Sequence, residues 1–217
     1  MRKGFIFDLD GVIVDTAKYH YLAWKELAKS LDIDFTLEQN EQLKGVSRVR
    51  SLEKILEWGN KSINYVEFER LMKSKNEEYL GFINEMKDSE ILPDVPKILN
   101  YLQEKEQGIA LGSASKNARM ILQKVHLLET FNFIVDGNDV VKGKPDPEVF
   151  LKAANLLQIK PKNCIVFEDS VAGIQAANTA NMISIGIGEK ETLHEADYIF
   201  NDFTEISTSF IENIIKN

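Results

Sequence analysis

At 217 residues the chain can form one domain of ordinary size plus a smaller insert, and its 44% hydrophobic content is enough for a real core. A formal net charge of −8 excludes the basic surface that nucleic acid or a membrane would favour, so small-molecule partners are expected. One cysteine excludes an internal disulfide, Asp8 and Asp10 break the N-terminal apolar stretch too early for a secretory signal, and no apolar run approaches the ~18 residues of a membrane helix, which makes the cytoplasm the expected compartment.

The first structural signal is the apolar run Gly4–Leu9, too short for a helix and without polar alternation, as suits a strand buried on both faces. Asp8 and Asp10 stand at its carboxyl end. Four amphipathic stretches with helical spacing follow: Asp15–Leu31, Thr36–Lys44, Ser47–Trp58 and Asn64–Glu85. With no convincing strand among them, they predict a helical cap over residues 15–91, inserted into a core made of residues 1–14 and 92–217. No repeat or Pro/Ser-rich linker is present, so two short connections should join cap to core and permit hinge opening.

From residue 92 onward short apolar runs alternate with helical patterns. Pro93 and Asp94 open a helix ending near Glu106, and the strand-like run Gly108–Leu111 leads to Ser113 and another helix start. Phe131–Val135 precedes a loop carrying Lys144, and Pro147 introduces the helical stretch Val149–Leu157. Cys164–Phe167 ends at Glu168-Asp169, Ser170 is placed to cap Val171–Ala180, and Met182–Ile187 is the last run. This alternation predicts an α/β, doubly wound parallel sheet, with Cys164 a buried structural residue.

Ligands of an open α/β sheet sit at the carboxyl ends of its strands, where this sequence gathers Asp8, Asp10, Ser113, Lys144, Glu168 and Asp169. Any one of these has an ordinary reading, because Asp and Ser are common at strand ends and turns. As an ordered set they are specific. The carboxylates form a hard oxygen cage suited to magnesium, while Ser113 and Lys144 offer a hydroxyl and a fixed positive charge to a phosphate. The helix start after Ser113 adds free N–H groups that favour anions.

Phe7-Asp8-Leu9-Asp10-Gly11-Val12, Ser113, Gly143-Lys144-Pro145-Asp146-Pro147 and Glu168-Asp169-Ser170 resemble the four ordered motifs of the haloacid dehalogenase superfamily. The resemblance implies that Asp8 is a nucleophile forming an aspartyl phosphate and Asp10 a general acid/base. It further implies Mg2+ held by Asp8, the Asp10 main-chain carbonyl and Asp169, with Glu168 assisting.

Within that superfamily Asp15-Thr16-Ala17-Lys18-Tyr19-His20, Ala23-Trp24, the stretch Glu41–Arg48 and Ser113-Ala114-Ser115-Lys116-Asn117 resemble the β-phosphoglucomutase family. That resemblance implies interconversion of β-D-glucose 1-phosphate and glucose 6-phosphate through β-glucose 1,6-bisphosphate, which needs two phosphate sites. Arg48 would grip the non-transferring phosphate, met from the core by Ser115, Lys116 and Asn117. His20 and Lys75 would link substrate arrival to cap closure and to placement of Asp10, with Thr16 at the hinge.

Gly45, Val46, Ser47 and Ser51 would line the cap surface, and Trp24 would either border the sugar or pack the cap. A sugar-phosphate phosphatase is the alternative, since the core motifs serve hydrolysis equally, and a non-catalytic sugar-phosphate sensor is a further one that the intact acidic set opposes. His126, His194 and Arg119 are expected at the surface, Gly112 and Gly137-Asn138-Asp139 depart from the family pattern without removing a role, and a monomer is expected.

Overall fold

The computed structural model describes residues 2–216. Its sheet comprises β1 (Gly4–Phe7), β2 (Gly108–Gly112), β3 (Phe133–Val135), β4 (Cys164–Glu168), β5 (Ile183–Ile187) and β6 (Tyr198–Phe200). They lie in the order β3-β2-β1-β4-β5-β6, and every pairing is parallel. The five expected strands are present, and β6 adds an edge strand that carries no strong apolar run.

Central β1 is hydrogen-bonded on both sides, Phe5 aligning with Ile109 of β2 and Ile165 of β4. Helices cover both faces, which is why its side chains are apolar without alternation. Phe5 and Phe7 face the layer containing α5 (Val95–Glu104), α6 (Ala118–Lys124) and α9 (Thr208–Lys216). Ile6 faces α7 (Glu148–Leu157) and α8 (Val171–Thr179). An aromatic stack fixes the first layer: Phe7 and Phe167 lie 4.6 Å apart at 3°, and Phe203 stands 5.5 Å from Phe167.

Between β1 and α5 the chain is helical, forming α1 (Ala17–Ser30), α2 (Leu37–Glu41), α3 (Arg48–Trp58) and α4 (Tyr65–Asn84). These helices bury their own cluster, including Trp24, Phe35, Leu52, Ile55 and Leu71. Thr36, Ser47 and Asn64 each cap a helix by accepting a backbone N–H with the side chain. α2 is shorter than its pattern predicts because the chain turns away before Gly45, whose φ of +69° only glycine adopts without strain. The two crossings to the helical segment run side by side: Val14 bridges Ile91, the Asp15 N–H donates to the Glu90 carbonyl at 2.8 Å, and the Leu92 N–H donates to the Ile13 carbonyl at 3.0 Å.

From β1 the chain builds outward through β2 and β3, then returns to the other side of β1 for β4, β5 and β6. The order therefore reverses at β1 and β4, and a crevice opens at their carboxyl ends. Because Phe203 is buried in the aromatic stack, Phe203→Ala is expected to cost about 3–5 kcal/mol of stability, read as a lowered urea midpoint.

Candidate active site

Lys144 crosses from the loop after β3 into the crevice and is 5% exposed. Its Nζ lies 2.5 Å from Asp8 Oδ1, just past β1, and 2.5 Å from Glu168 Oε1, the last residue of β4. Burial opposes the ammonium, but the adjoining Asp8 and Glu168 carboxylates outweigh it and hold the lysine charged. Burial pushes the Asp8 carboxyl well above its usual range, opposed by Lys144 and reinforced by Glu168, Asp10 and Asp169. Asp169 is pushed up to about 7 by burial and by Glu168, against Lys44 and Lys144.

The backbone N–H and the hydroxyl of Ser170 both donate to Glu168 Oε2, at 2.8 and 2.7 Å. With Oε1 taken by Lys144, both Glu168 oxygens are engaged in hydrogen bonds. Ser170 also caps α8 as expected, accepting the Gly173 N–H.

Asp10 belongs to a second network. Burial pushes its carboxyl up, but His20, the Thr16 hydroxyl that donates to Oδ1, and Lys75 together hold it below the usual value. His20 Nε2 lies 3.6 Å from Asp10 Oδ1, while Lys75 Nζ stands 2.8 Å from His20 Nδ1. A lysine donating to Nδ1 requires a neutral imidazole with its proton on Nε2, facing Asp10. Burial and Lys75 lower the His20 pKa, in agreement.

Lys75 is 2% exposed and has no carboxylate partner among its close contacts. Its Nζ sits 4.6 Å from the Trp24 ring centre and 4.7 Å from that of Tyr79, which is stacked on His20 at 4.2 Å. Burial and nearby Arg48 lower the Lys75 pKa to about 7.

A cavity of about 390 Å³ separates the sheet edge from the helical segment. Asp8, Asp10 and Asp169 reach it from the core, and His20, Trp24 and Lys75 from α1 and α4. Gly45, Val46, Ser47, Arg48 and Ser51 also line it, and Trp24 both lines the cavity and packs the helical core. Arg48, at the start of α3, forms no ion pair with a carboxylate among the described residues, and burial lowers its pKa. Ser51 donates its hydroxyl to the Ser47 carbonyl at 3.0 Å, so its proton is committed to the helix.

On the core side Ser115 and Lys116 line the cavity, and Ser113, Asn117, Lys144 and Thr16 are not among its lining residues. Ser113 accepts the Ser115 N–H at 3.1 Å, and the Asn117 amide donates to Asn76 of α4 at 3.0 Å.

Lys44, Tyr79 and Asn76 belong to these networks but were not singled out in the sequence. Lys44 Nζ reaches to 3.5 Å from Asp169 Oδ2. Tyr79 follows Lys75 by four residues on a helix, a spacing that puts both on one face. His126 and His194 are exposed as expected.

Asp8, Glu168 and Asp169 crowd three buried carboxylates into the crevice against Lys144 and the more distant Lys44. Among the described residues no three such side chains converge as a ready-made metal cage. The donor chemistry nevertheless fits a small divalent cation, because hard oxygens whose carboxyls are driven upward by burial and mutual repulsion lack positive charge.

The chain matches the family model described as haloacid dehalogenase-like hydrolase over residues 2–181. It is 40% identical over 211 residues to the β-phosphoglucomutase of Bacillus subtilis, covering 96% of this chain and 93% of that protein. A crystal structure of β-phosphoglucomutase from Clostridium difficile superposes with a TM-score of 0.95 at 42% identity, covering 100% of this chain and 98% of the other. A fructose-1-phosphate phosphatase of Escherichia coli is 29% identical over 184 residues, 85% of this chain and 95% of that protein.

The buried Lys75 gives a pH signature with a definite sign. Unfolded, it titrates near 10.5, and folded, near 7, so between those values the unfolded chain binds the extra proton and stability rises with pH. The penalty is complete below pH 7. Lys75→Met is therefore expected to gain stability over the parent most at pH 6, with the gain shrinking as pH rises to 10, and denaturant titrations at the two pH values check it.

Proposed function

The chain belongs to the haloacid dehalogenase-like hydrolase family and is a homologue of the β-phosphoglucomutases, and from that we propose that it interconverts β-D-glucose 1-phosphate and glucose 6-phosphate. The observation that carries the reading is a single cavity with carboxylates at its core end and a carboxylate-free guanidinium, Arg48, in its helical wall. Such a cavity suits a sugar with a phosphate at each end. Arg48 can bind one by parallel hydrogen bonds while Asp8 exchanges the other.

In the first half-reaction phosphorylated Asp8 gives its phosphoryl group to the sugar 6-hydroxyl, and Asp10 takes that hydroxyl's proton. Thr16 and His20 favour the ionised form of Asp10, which suits it to start as a base. The bisphosphate then turns over within the site. Asp8 accepts the phosphoryl group from the C1 oxygen as Asp10 returns the proton to that oxygen, leaving glucose 6-phosphate and phosphorylated Asp8.

Lys144 holds Asp8 in place throughout and offsets its negative charge. Ser113 fixes the loop that presents Ser115 and Lys116, and Ser115 and Lys116 join Arg48 around the second phosphate. Asp8, the Asp10 carbonyl and Asp169 would hold Mg2+, which supplies neutralisation of the transferring oxygens' charge when bound. Residues 15–91 act as a cap that excludes water during transfer and opens for the bisphosphate to turn over, with Lys75 and His20 coupling ligand arrival at Arg48 to Asp10. Trp24, Gly45, Val46, Ser47 and Ser51 shape the sugar's side of the cap. The acidic chain, in which no described helix is long and apolar enough to cross a membrane, acts in this reading as a cytoplasmic monomer.

The phosphatase relatives support a second reading, in which water receives the phosphoryl group from Asp8. Incubation with magnesium, β-glucose 1-phosphate and trace β-glucose 1,6-bisphosphate separates the two. Glucose 6-phosphate in large excess over free phosphate is expected, while phosphate alone would make the protein a phosphatase. Asp8→Asn is expected to abolish both products. Arg48→Ala is expected to raise KM for the sugar phosphate about 100-fold, as loss of a bidentate charged pair does. Chelation with EDTA should stop turnover and added Mg2+ restore it; turnover that persists in EDTA would exclude the metal requirement.

A further inference from the structure

Arg119 and the segment Gly137-Asn138-Asp139 meet in one place. Asp136, at the carboxyl end of β3, is 1% exposed. Arg119 Nε stands 3.0 Å from Asp136 Oδ2, an ion pair off the hydrogen-bond line, while its NH2 donates to the Ile134 carbonyl at 2.8 Å and to Asp139 Oδ2 at 3.0 Å. Arg119 thus stays at the surface, as expected, while its guanidinium engages three acceptors.

Asp139 Oδ2 also accepts the Asp136 N–H at 2.9 Å, and Asp136 Oδ1 accepts both the N–H and the side-chain amide of Asn138, at 2.8 and 3.0 Å. The Asn138 amide donates in turn to the Lys116 carbonyl at 3.0 Å, and the Gly137 N–H donates to the Ser115 carbonyl at 3.2 Å. Gly137 is required there, because a Cβ would clash with the Ala114 carbonyl.

We propose that Arg119, Asp136 and Asn138 are positioning residues that hold the Ser115-Lys116-Asn117 loop in the geometry that receives the substrate's non-transferring phosphate. The inference rests on the mutase reading for the identity of that phosphate. A loop between strand and helix has little apolar burial of its own, and oriented donors bind an anion well only when their directions are fixed beforehand. Two carbonyls clasped by the β3 loop fix the peptide planes of Ser115 and Lys116. The buried Asp136 carboxylate orients Asn138, and Arg119 anchors that carboxylate from α6. None of the three residues reaches Asp8.

The test compares two phosphoryl sources in Asn138→Ala and Arg119→Lys. β-Glucose 1-phosphate leaves a second phosphate to be held, while acetyl phosphate, which phosphorylates Asp8 directly, does not. KM for β-glucose 1-phosphate is expected to rise about tenfold in Asn138→Ala with kcat nearly kept, as loss of alignment in charge-assisted hydrogen bonds does, and to rise less in Arg119→Lys. Acetyl phosphate turnover should stay at the parent level.

Equal losses with both compounds would overturn the proposal in favour of a general structural role, and so would an unchanged KM. Amide hydrogen exchange at residues 115–117 is expected to quicken in Asn138→Ala, and unchanged exchange would also sink the idea. If the parent protein released phosphate without making glucose 6-phosphate, the mutase reading would fail on its own, while amide exchange at residues 115–117 in Asn138→Ala would still decide whether the β3 loop holds that segment.

Discussion

A lysine ammonium withdrawn from water needs carboxylates around it, and in this protein that need ties together three distant parts of the chain. Lys144 arrives from the loop after β3, Asp8 from the end of β1 and Glu168 from the end of β4. Removing the lysine would leave the two buried carboxylates without their partner, a loss of about 3–5 kcal/mol. The parallel order of the sheet provides the place where the three can meet, since β1 and β4 are neighbours at the reversal.

The same fold buries a second lysine under opposite conditions. Lys75 has two aromatic rings and a neutral imidazole beside it, so its charge is weakly compensated and its proton comes off near neutrality. Lys144 is a fixed charge and Lys75 an adjustable one. Under the proposed reading, this division keeps Asp8 in place while Asp10 responds to what has bound.

Most of the core was legible because central parallel strands have a plain signature: Phe5-Ile6-Phe7 and Ile165-Val166-Phe167 are apolar on consecutive residues, and the chemistry sits immediately after them. Tyr198–Phe200 lacks that signature, as a half-exposed strand of three residues at the sheet edge, and α9 was missed because its apolar positions follow no start signal as clear as Pro93-Asp94. Site residues on the motifs were readable by their order. Tyr79 was hidden because an aromatic on an amphipathic helix ordinarily serves packing, and Arg119 because its partner Asp136 becomes a neighbour only through the pairing of β2 with β3.

The paired crossings at Val14 and Ile91 bear on the molecule's modularity. Since Asp15 and Glu90 are already joined backbone to backbone, the helical segment leaves and re-enters the core at almost one point. A tight turn spliced between those residues could close the sheet domain with little loop entropy, and inserts of other lengths could be grafted at the same junction without disturbing the register of β1 against β2. The sheet domain is thus a socket, open to exchange of the helical part that walls the crevice.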